Sequence, residues 1–162
     1  MSESLLSHYY DAFNRGDAQA MLDLLTDDVV HEPSQGEPRH GKAAFAAFLN
    51  HMNLSYRERV IDPVFLTAAN GARAAAEFQL EGEYLQTDGD LPPASGQRYR
   101  LRVGAFFDIV DGRIARVSNH YNLADWLRQV NEPALRSMPL RRWWWSGSVA
   151  TTCRCARSPR CG

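Results

Sequence analysis

The side chains in this chain best suited to moving protons are a carboxylate, an imidazole and two phenols, each placed by local pattern. Glu32 closes the run Val29-Val30-His31-Glu32, which Pro33 stops, so residues 29–32 read as a short strand. Strand side chains alternate, so Glu32 shares a face with Val30. If that face is interior, an isolated carboxylate on it has a raised pKa and exchanges protons near neutral pH. If it is exterior, Glu32 is a strand-end acid turned to solvent. Ser118, His120 and Asn122 recur at period two and also share one face. An imidazole with its ordinary pKa of ~6.5 serves there as acid or base, although a single strand histidine is commonly just a hydrogen-bonded core residue. Asn122 is better suited to orienting a carbonyl than to chemistry. Tyr9 and Tyr10 are adjacent on a helical pattern, so only one phenol can point squarely inward, and both rings also suit a packed core.

Other polar clusters carry less. His8, His31, His40 and His51 have no spacing that sets three ligands on one face, so they read as surface or loop residues and no metal is expected. Arg98, Arg100 and Arg102 alternate with Tyr99, Leu101 and Val103. That stripe either lies in solvent or pairs with Glu77, Glu81 and Glu83 across an interface.

The elements that must hold these residues follow from periodicity. Leu5, Leu6, Tyr9, Tyr10 and Phe13 predict a helix over residues 4–14, ended by Asn14-Arg15-Gly16. Asp17 caps a second helix running through Leu25. Residues 33–41 read as a Gly/Pro-rich loop, and residues 42–53 as a third helix with Phe45, Phe48, Leu49 and Met52 on one side. The period then changes to two. Residues 58–67 and 73–86 flank an Asn70-Gly71 turn, a polar loop covers 87–96, and 97–109 and 113–122 flank Asp111-Gly112. A short helix over 124–130 carries Trp126 as a wall or lid. Helices gathered on one face of a mostly antiparallel, curved sheet make an α+β fold.

Composition narrows the function classes. Residues 1–132 hold twelve Lys/Arg against nineteen Asp/Glu, whereas residues 133–162 hold six Arg and no acid. An acidic body argues against nucleic acid as a partner. No apolar run approaches the ~18 residues of a spanning helix, and the N-terminus lacks the basic start of a signal peptide, so a cytoplasmic protein is expected, with no membrane partner. All three cysteines (Cys153, Cys155 and Cys161) lie in the tail. They lack a fourth ligand for zinc. The basic, Trp-rich stretch from 133 has no amphipathic period, so it reads as a poorly ordered, non-native or frame-shifted extension of a domain spanning residues 1–132.

The motifs YDAFNRGD, MLDLLTDDVVHEPSQGEPRHG, GAFFDIVDGRIARV and HYNLADWLRQV together resemble the nuclear transport factor 2-like superfamily, and within it ketosteroid isomerases, SnoaL-type polyketide cyclases and limonene epoxide hydrolases. The resemblance covers residues 4–132. It implies a cone-shaped sheet wrapped by three N-terminal helices around one deep pocket, and commonly a homodimer through the outer sheet face. It also implies a set of roles. Glu32, before Pro33, stands at the isomerase base position. Tyr9, seven residues before Gly16, stands at the phenol donor position. The second donor, an acid, is replaced by Ala105. The cyclase acid corresponds to Asn122, seven residues before Gln129, and the terminal hydrolase acid falls in Ser118-Asn119-His120-Tyr121 and is missing.

The resulting expectation is a cofactor-independent enzyme that moves a proton next to a carbonyl of a hydrophobic steroid- or polyketide-like ligand. Glu32, Tyr9 and His120 are its catalytic residues. Asn122, Ser118, Trp126 and Phe107 are its ligand-binding residues. A non-catalytic ligand-binding module is the first alternative and an epoxide hydrolase the second.

Overall fold

A computed structural model describes residues 2–131. The chain runs α1 (Ser2–Arg15), α2 (Ala18–Asp23), β1 (Leu25–Glu32), β2 (Arg39–His40), α3 (Lys42–Ser55), β3 (Tyr56–Thr67), β4 (Arg73–Tyr84), β5 (Gln97–Val110), β6 (Arg113–Tyr121) and α4 (Leu123–Asn131). The strands form one curved, unclosed sheet in the order β2-β1-β6-β5-β4-β3, antiparallel except where β1 runs parallel to β6. This is the expected α+β fold, with the helices packed on the concave side. Sequence reading placed β1 four residues too late and missed β2 inside the 33–41 loop. The basic tail lies outside the described residues.

Local chemistry explains most boundaries. The Asp17 carboxylate accepts from the Ala20 amide at 3.0 Å and caps α2, which ends at Asp23 rather than Leu25. Asp111 and Gly112 both have positive φ, 49° and 74°, as a two-residue hairpin turn that follows right-handed strand twist requires.

Two bulges set which side chains point inward. Between β5 and β6, Asp108 pairs with Arg116 and Ile109 with Ile114, so Ala115 is an extra residue on β6. Before it the even-numbered Ile114 is buried; after it the odd-numbered Val117, Asn119 and Tyr121 turn inward. On β3, Ile61 pairs with Gln79 and Val64 with Glu77, leaving one extra residue at Asp62-Pro63, where Asp62 has φ 48°. Pro63 is tolerated because β3 is an edge strand and the bulge needs no N–H from it.

Open strand edges are closed by side-chain amides. Asn14 at the end of α1 donates to the Val60 carbonyl at 3.0 Å and accepts from the Val60 amide at 2.8 Å. Gln129 of α4 makes the same pair with the Arg100 backbone, both at 2.9 Å, on the stretch of β5 that β6 is too short to cover. Each amide presents the donor–acceptor pair of a neighbouring strand. α1 and α4 are therefore docked by geometry as well as by Leu6, Trp126 and Val130, all buried.

Candidate functional site

A cavity of about 800 Å³ opens between the concave sheet face and the helices. Tyr9, Tyr10 and Asn14 of α1 line one side, and Phe45 and Phe48 of α3 another. The sheet contributes His31 from β1, Tyr56 and Glu58 from β3, and Asn119 and Tyr121 from β6. Trp126 of α4 lies at one end among the rings of Tyr56, Tyr84 and Tyr99, with centroid separations of 5.3 to 6.3 Å.

Glu58 is one of two acids in the cavity lining, the other being Asp88. The Glu58 Oε1 accepts from the Tyr99 hydroxyl at 2.6 Å. Burial raises its pKa, and the Tyr99 hydrogen bond pulls the other way by stabilising the carboxylate. Tyr99 reaches Glu58 because it lies over Gly82, its cross-strand partner on β4. A Cβ at Gly82 would overlap the Tyr99 ring. A second polar chain lies beside it at the cavity rim. Asp88 accepts from the Tyr56 hydroxyl at 2.9 Å through Oδ2 and meets His51 Nε2 at 2.9 Å through Oδ1.

His31 is the buried base of the opposite edge, with 1% of its surface exposed between the rings of Phe45 and Phe48. Asn119 Nδ2 lies 3.1 Å from His31 Nε2. An amide nitrogen can only donate, so Nε2 accepts and the proton of the neutral ring sits on Nδ1, which is buried with no partner. Burial, and then the charge of Arg39, lowers the His31 pKa to about 4.

The structure divides the expected site residues. Tyr9 and Trp126 do line the cavity, and burial pushes the Tyr9 phenol up, so it stays a protonated donor. Tyr10 lines it as well, so adjacency did not exclude either ring. Phe107 is wholly buried, beneath Tyr9 and Tyr10 at 5.9 and 6.2 Å, as core rather than wall. Glu32 is on the other side of the sheet. Its Oε2 pairs with Arg116 at 2.7 Å, and Arg116 also pairs with Asp108 at 3.1 Å. The reason is alternation: Val29 and His31 face inward, so Val30 and Glu32 face outward. Ser118 and His120 share that outer face, where Ser118 Oγ lies 2.8 Å from His120 Nε2 and the His120 ring meets Phe106 at 5.5 Å. Asn122 is an exposed helix cap that accepts from the Asp125 amide at 3.2 Å.

The residues that sequence reading passed over are Glu58, Asn119 and His31. Glu58 stands in Tyr56-Arg57-Glu58-Arg59-Val60, where period two does place it with Tyr56 and Val60 on an inward face. That alternation was a readable signal. His31 reads as a surface residue when strand phase is set by Val30, and as an interior one when it is set by the buried Val29. Among the described residues, no group of three His, Cys, Asp or Glu is placed to hold a metal ion, and no helix is long and apolar enough to cross a membrane.

The lowered pKa of His31 has a thermodynamic consequence. Its folded value, about 4, lies below the ordinary value of ~6.5, so the unfolded chain binds the extra proton first. Stability from the neutral ring is therefore complete above pH ~6.5 and is lost progressively as pH falls toward 4. Between pH 7 and 5 the wild type should lose about 2 kcal/mol more than His31→Gln. Urea unfolding of both proteins at the two pH values measures the difference, and equal losses would remove the assignment.

Residues 6–117 match the SnoaL-like domain family. The chain is 54% identical to a protein of Pseudomonas putida KT2440 provisionally designated a polyketide cyclase; the match covers 80% of this chain and 98% of that one at a TM-score of 0.79. A protein of Xanthomonas campestris pv. campestris with the same designation is 50% identical over 80% and 96% of the two chains, at a TM-score of 0.78. A limonene epoxide hydrolase-like enzyme of Mycobacterium tuberculosis shares the fold at 18% identity and a TM-score of 0.60, over 80% of this chain and 88% of that one. No curated protein matches. The profile match over residues 6–117, together with structural relatives at 54% and 50% identity, establishes that the chain belongs to the SnoaL-like domain family.

Proposed function

We propose that this protein is a cofactor-independent isomerase or cyclase whose base is Glu58. The observation that carries the reading is one carboxyl on the cavity wall, its pKa raised by burial, held by a phenol at 2.6 Å. A base poised in this way takes a proton from the carbon next to a ligand carbonyl. The electron pair moves onto the carbonyl oxygen, and the enolate is held there by the protonated Tyr9 phenol. The enolate is then reprotonated at another carbon, which isomerises the ligand, or attacks a second carbonyl carbon, which closes a ring. Both outcomes are redox-neutral and need no external electron carrier. Aromatic walls from Tyr10, Phe48 and Trp126 suit a flat steroid- or polyketide-like ligand.

Glu58→Gln should lower the turnover of a suitable enone or diketone by about two to four orders of magnitude while ligand still binds. Glu32→Gln, on the outer face, should change turnover little. Steady-state kinetics on both variants separates the two carboxylates, and the opposite ranking would return the base to Glu32.

A ligand-binding module without turnover is the second reading. It is favoured by Ala105, wholly buried at the position where isomerases of this fold carry their second oxyanion donor. It wins if wild type and Glu58→Gln bind the same enones and neither converts them.

The outer sheet face supports a homodimer. Leu66, Ala75, Phe106 and Ser118 form one cross-strand row, with Leu66 and Phe106 exposed, and Val64 is exposed beside it. Arg100 does not wait for a partner chain, because it already pairs with Glu81 of the same sheet at 2.5 Å. The apolar row is therefore the part of the face that a two-fold copy would cover. Phe106→Glu should convert a dimer into a monomer in light scattering; an unchanged wild-type monomer would remove the proposal. The acidic body is a poor partner for nucleic acid, and the expected compartment is the cytoplasm.

A further inference from the structure

Arg39 is a cation on the cavity wall with no ion-pair partner among the described residues. β2 is only two residues long, and its pairing sets Arg39 opposite His31 on β1. Directly opposed strand residues hold their side chains side by side, so the two groups share a corner of the wall. Both belong to the cavity lining. The Arg39 guanidinium carbon lies 4.8 Å from the centre of the Phe48 ring, and the His31 ring lies 4.5 Å from the same ring. Phe48 thus supports both groups from the α3 side. Arg39 Nη1 and His31 Nδ1 are two of the three buried side-chain polar atoms among the described residues that lack a hydrogen-bond partner. Several other charged side chains of the fold are paired: Lys42 with Asp27, Arg57 with Glu83, Arg73 and Arg116 with Asp108, and Arg116 with Glu32. Among the described residues Arg39 forms no such ion pair.

A cation held on an aromatic ring with a buried, unpaired N–H is costly unless an anion completes it. The cation–π contact with Phe48 offsets part of that cost and fixes the guanidinium plane, but it leaves the hydrogen-bonding edge unused. A carboxylate is the group that matches it, because two oxygens in one plane meet a planar fork of N–H donors. The neutral tautomer of His31 adds an N–H at the same corner and no competing charge.

We infer that the natural ligand carries a carboxylate, which docks at the Arg39–His31 corner while the rest of the molecule extends toward Glu58. The inference rests on the cavity being the substrate site, and it adds an acidic head group to the ligand class. β2 and β3 are the two opposite ends of the strand order. Arg39 on β2 and Glu58 on β3 thereby give the cavity a cationic end and a separate proton-transfer end. An anion anchored at the first is kept away from the carboxylate at the second.

The test compares naphthylacetate with the neutral, nearly isosteric naphthylacetamide by titration calorimetry on wild type, Arg39→Gln and Arg39→Lys. Wild type should bind the acid about ten- to a hundredfold more tightly than the amide, the range expected for hydrogen bonds to a charged group. Arg39→Gln should abolish the preference of acid over amide, and Arg39→Lys should restore part of it, since a point charge lacks the fork. If wild type binds the two equally or prefers the amide, the inference is overturned and the cavity survives as a ligand site. A preference that persists in Arg39→Gln overturns it as well. If neither compound binds, the reading of the cavity fails and takes this inference with it.

Discussion

The chemistry available to this protein depends on one extra residue in β6. Ala115 has no partner on β5, and from that point the strand shows its other set of side chains to the interior. The bulge brings Asn119 and Tyr121 onto the cavity wall and sends Ser118 and His120 to the outer face. Asn119 in turn fixes the His31 ring through Nε2, so the tautomer of a residue on β1 is set by the phase of β6. Without the bulge, the inward phase of Ile114 would continue through Arg116, Ser118 and His120. The concave side would then hold a guanidinium, a hydroxyl and a second imidazole in place of an amide and a phenol.

The rest of the scaffold keeps that arrangement open as a cavity. The sheet is not closed, so its edges need partners, and side-chain amides supply them at Val60 and Arg100. These contacts hold α1 and α4 at opposite edges and leave the space between them free. At the far end Tyr56, Tyr84, Tyr99 and Trp126 form a packed aromatic group. Its geometry rests on Gly82, which leaves room for the Tyr99 ring and so lets its hydroxyl reach Glu58. A backbone hydrogen, a ring and a carboxyl are thereby linked across two strand pairs.

Much of the fold was legible in the sequence. Asp17 as a cap, Asn70-Gly71 and Asp111-Gly112 as turns, and the switch from helical to alternating period each have a local cause, so each can be read locally. Trp126 is legible as part of a short closing helix, whereas Tyr9 is singled out from Tyr10 only by the family resemblance. Strand phase is different. Val29 and Val30 are equally apolar, so nothing within β1 says which of His31 and Glu32 is inward; the β6 register decides it. On β6 the phase depends on a bulge that no turn residue announces. A one-residue error in phase exchanges every side chain between faces; one such error on β1 displaces Glu32, and another on β6 displaces Ser118 and His120. Glu58 is legible only through its alternation with Tyr56 and Val60, a signal that Arg57 and Arg59 on the other face weaken.

On the proposed function, ligand chemistry takes place on the inward set, His31, Asn119 and Glu58, rather than on the outward set of Glu32, Ser118 and His120. Heteronuclear NMR of the histidine ring nitrogens tests it most directly, with naphthylacetate as the probe. His31 should show a single neutral tautomer protonated at Nδ1, and its nitrogens should shift as the ligand saturates, while those of His120 stay in place. Ligand-dependent shifts at His120 with an undisturbed His31 would place the ligand on the outer face instead.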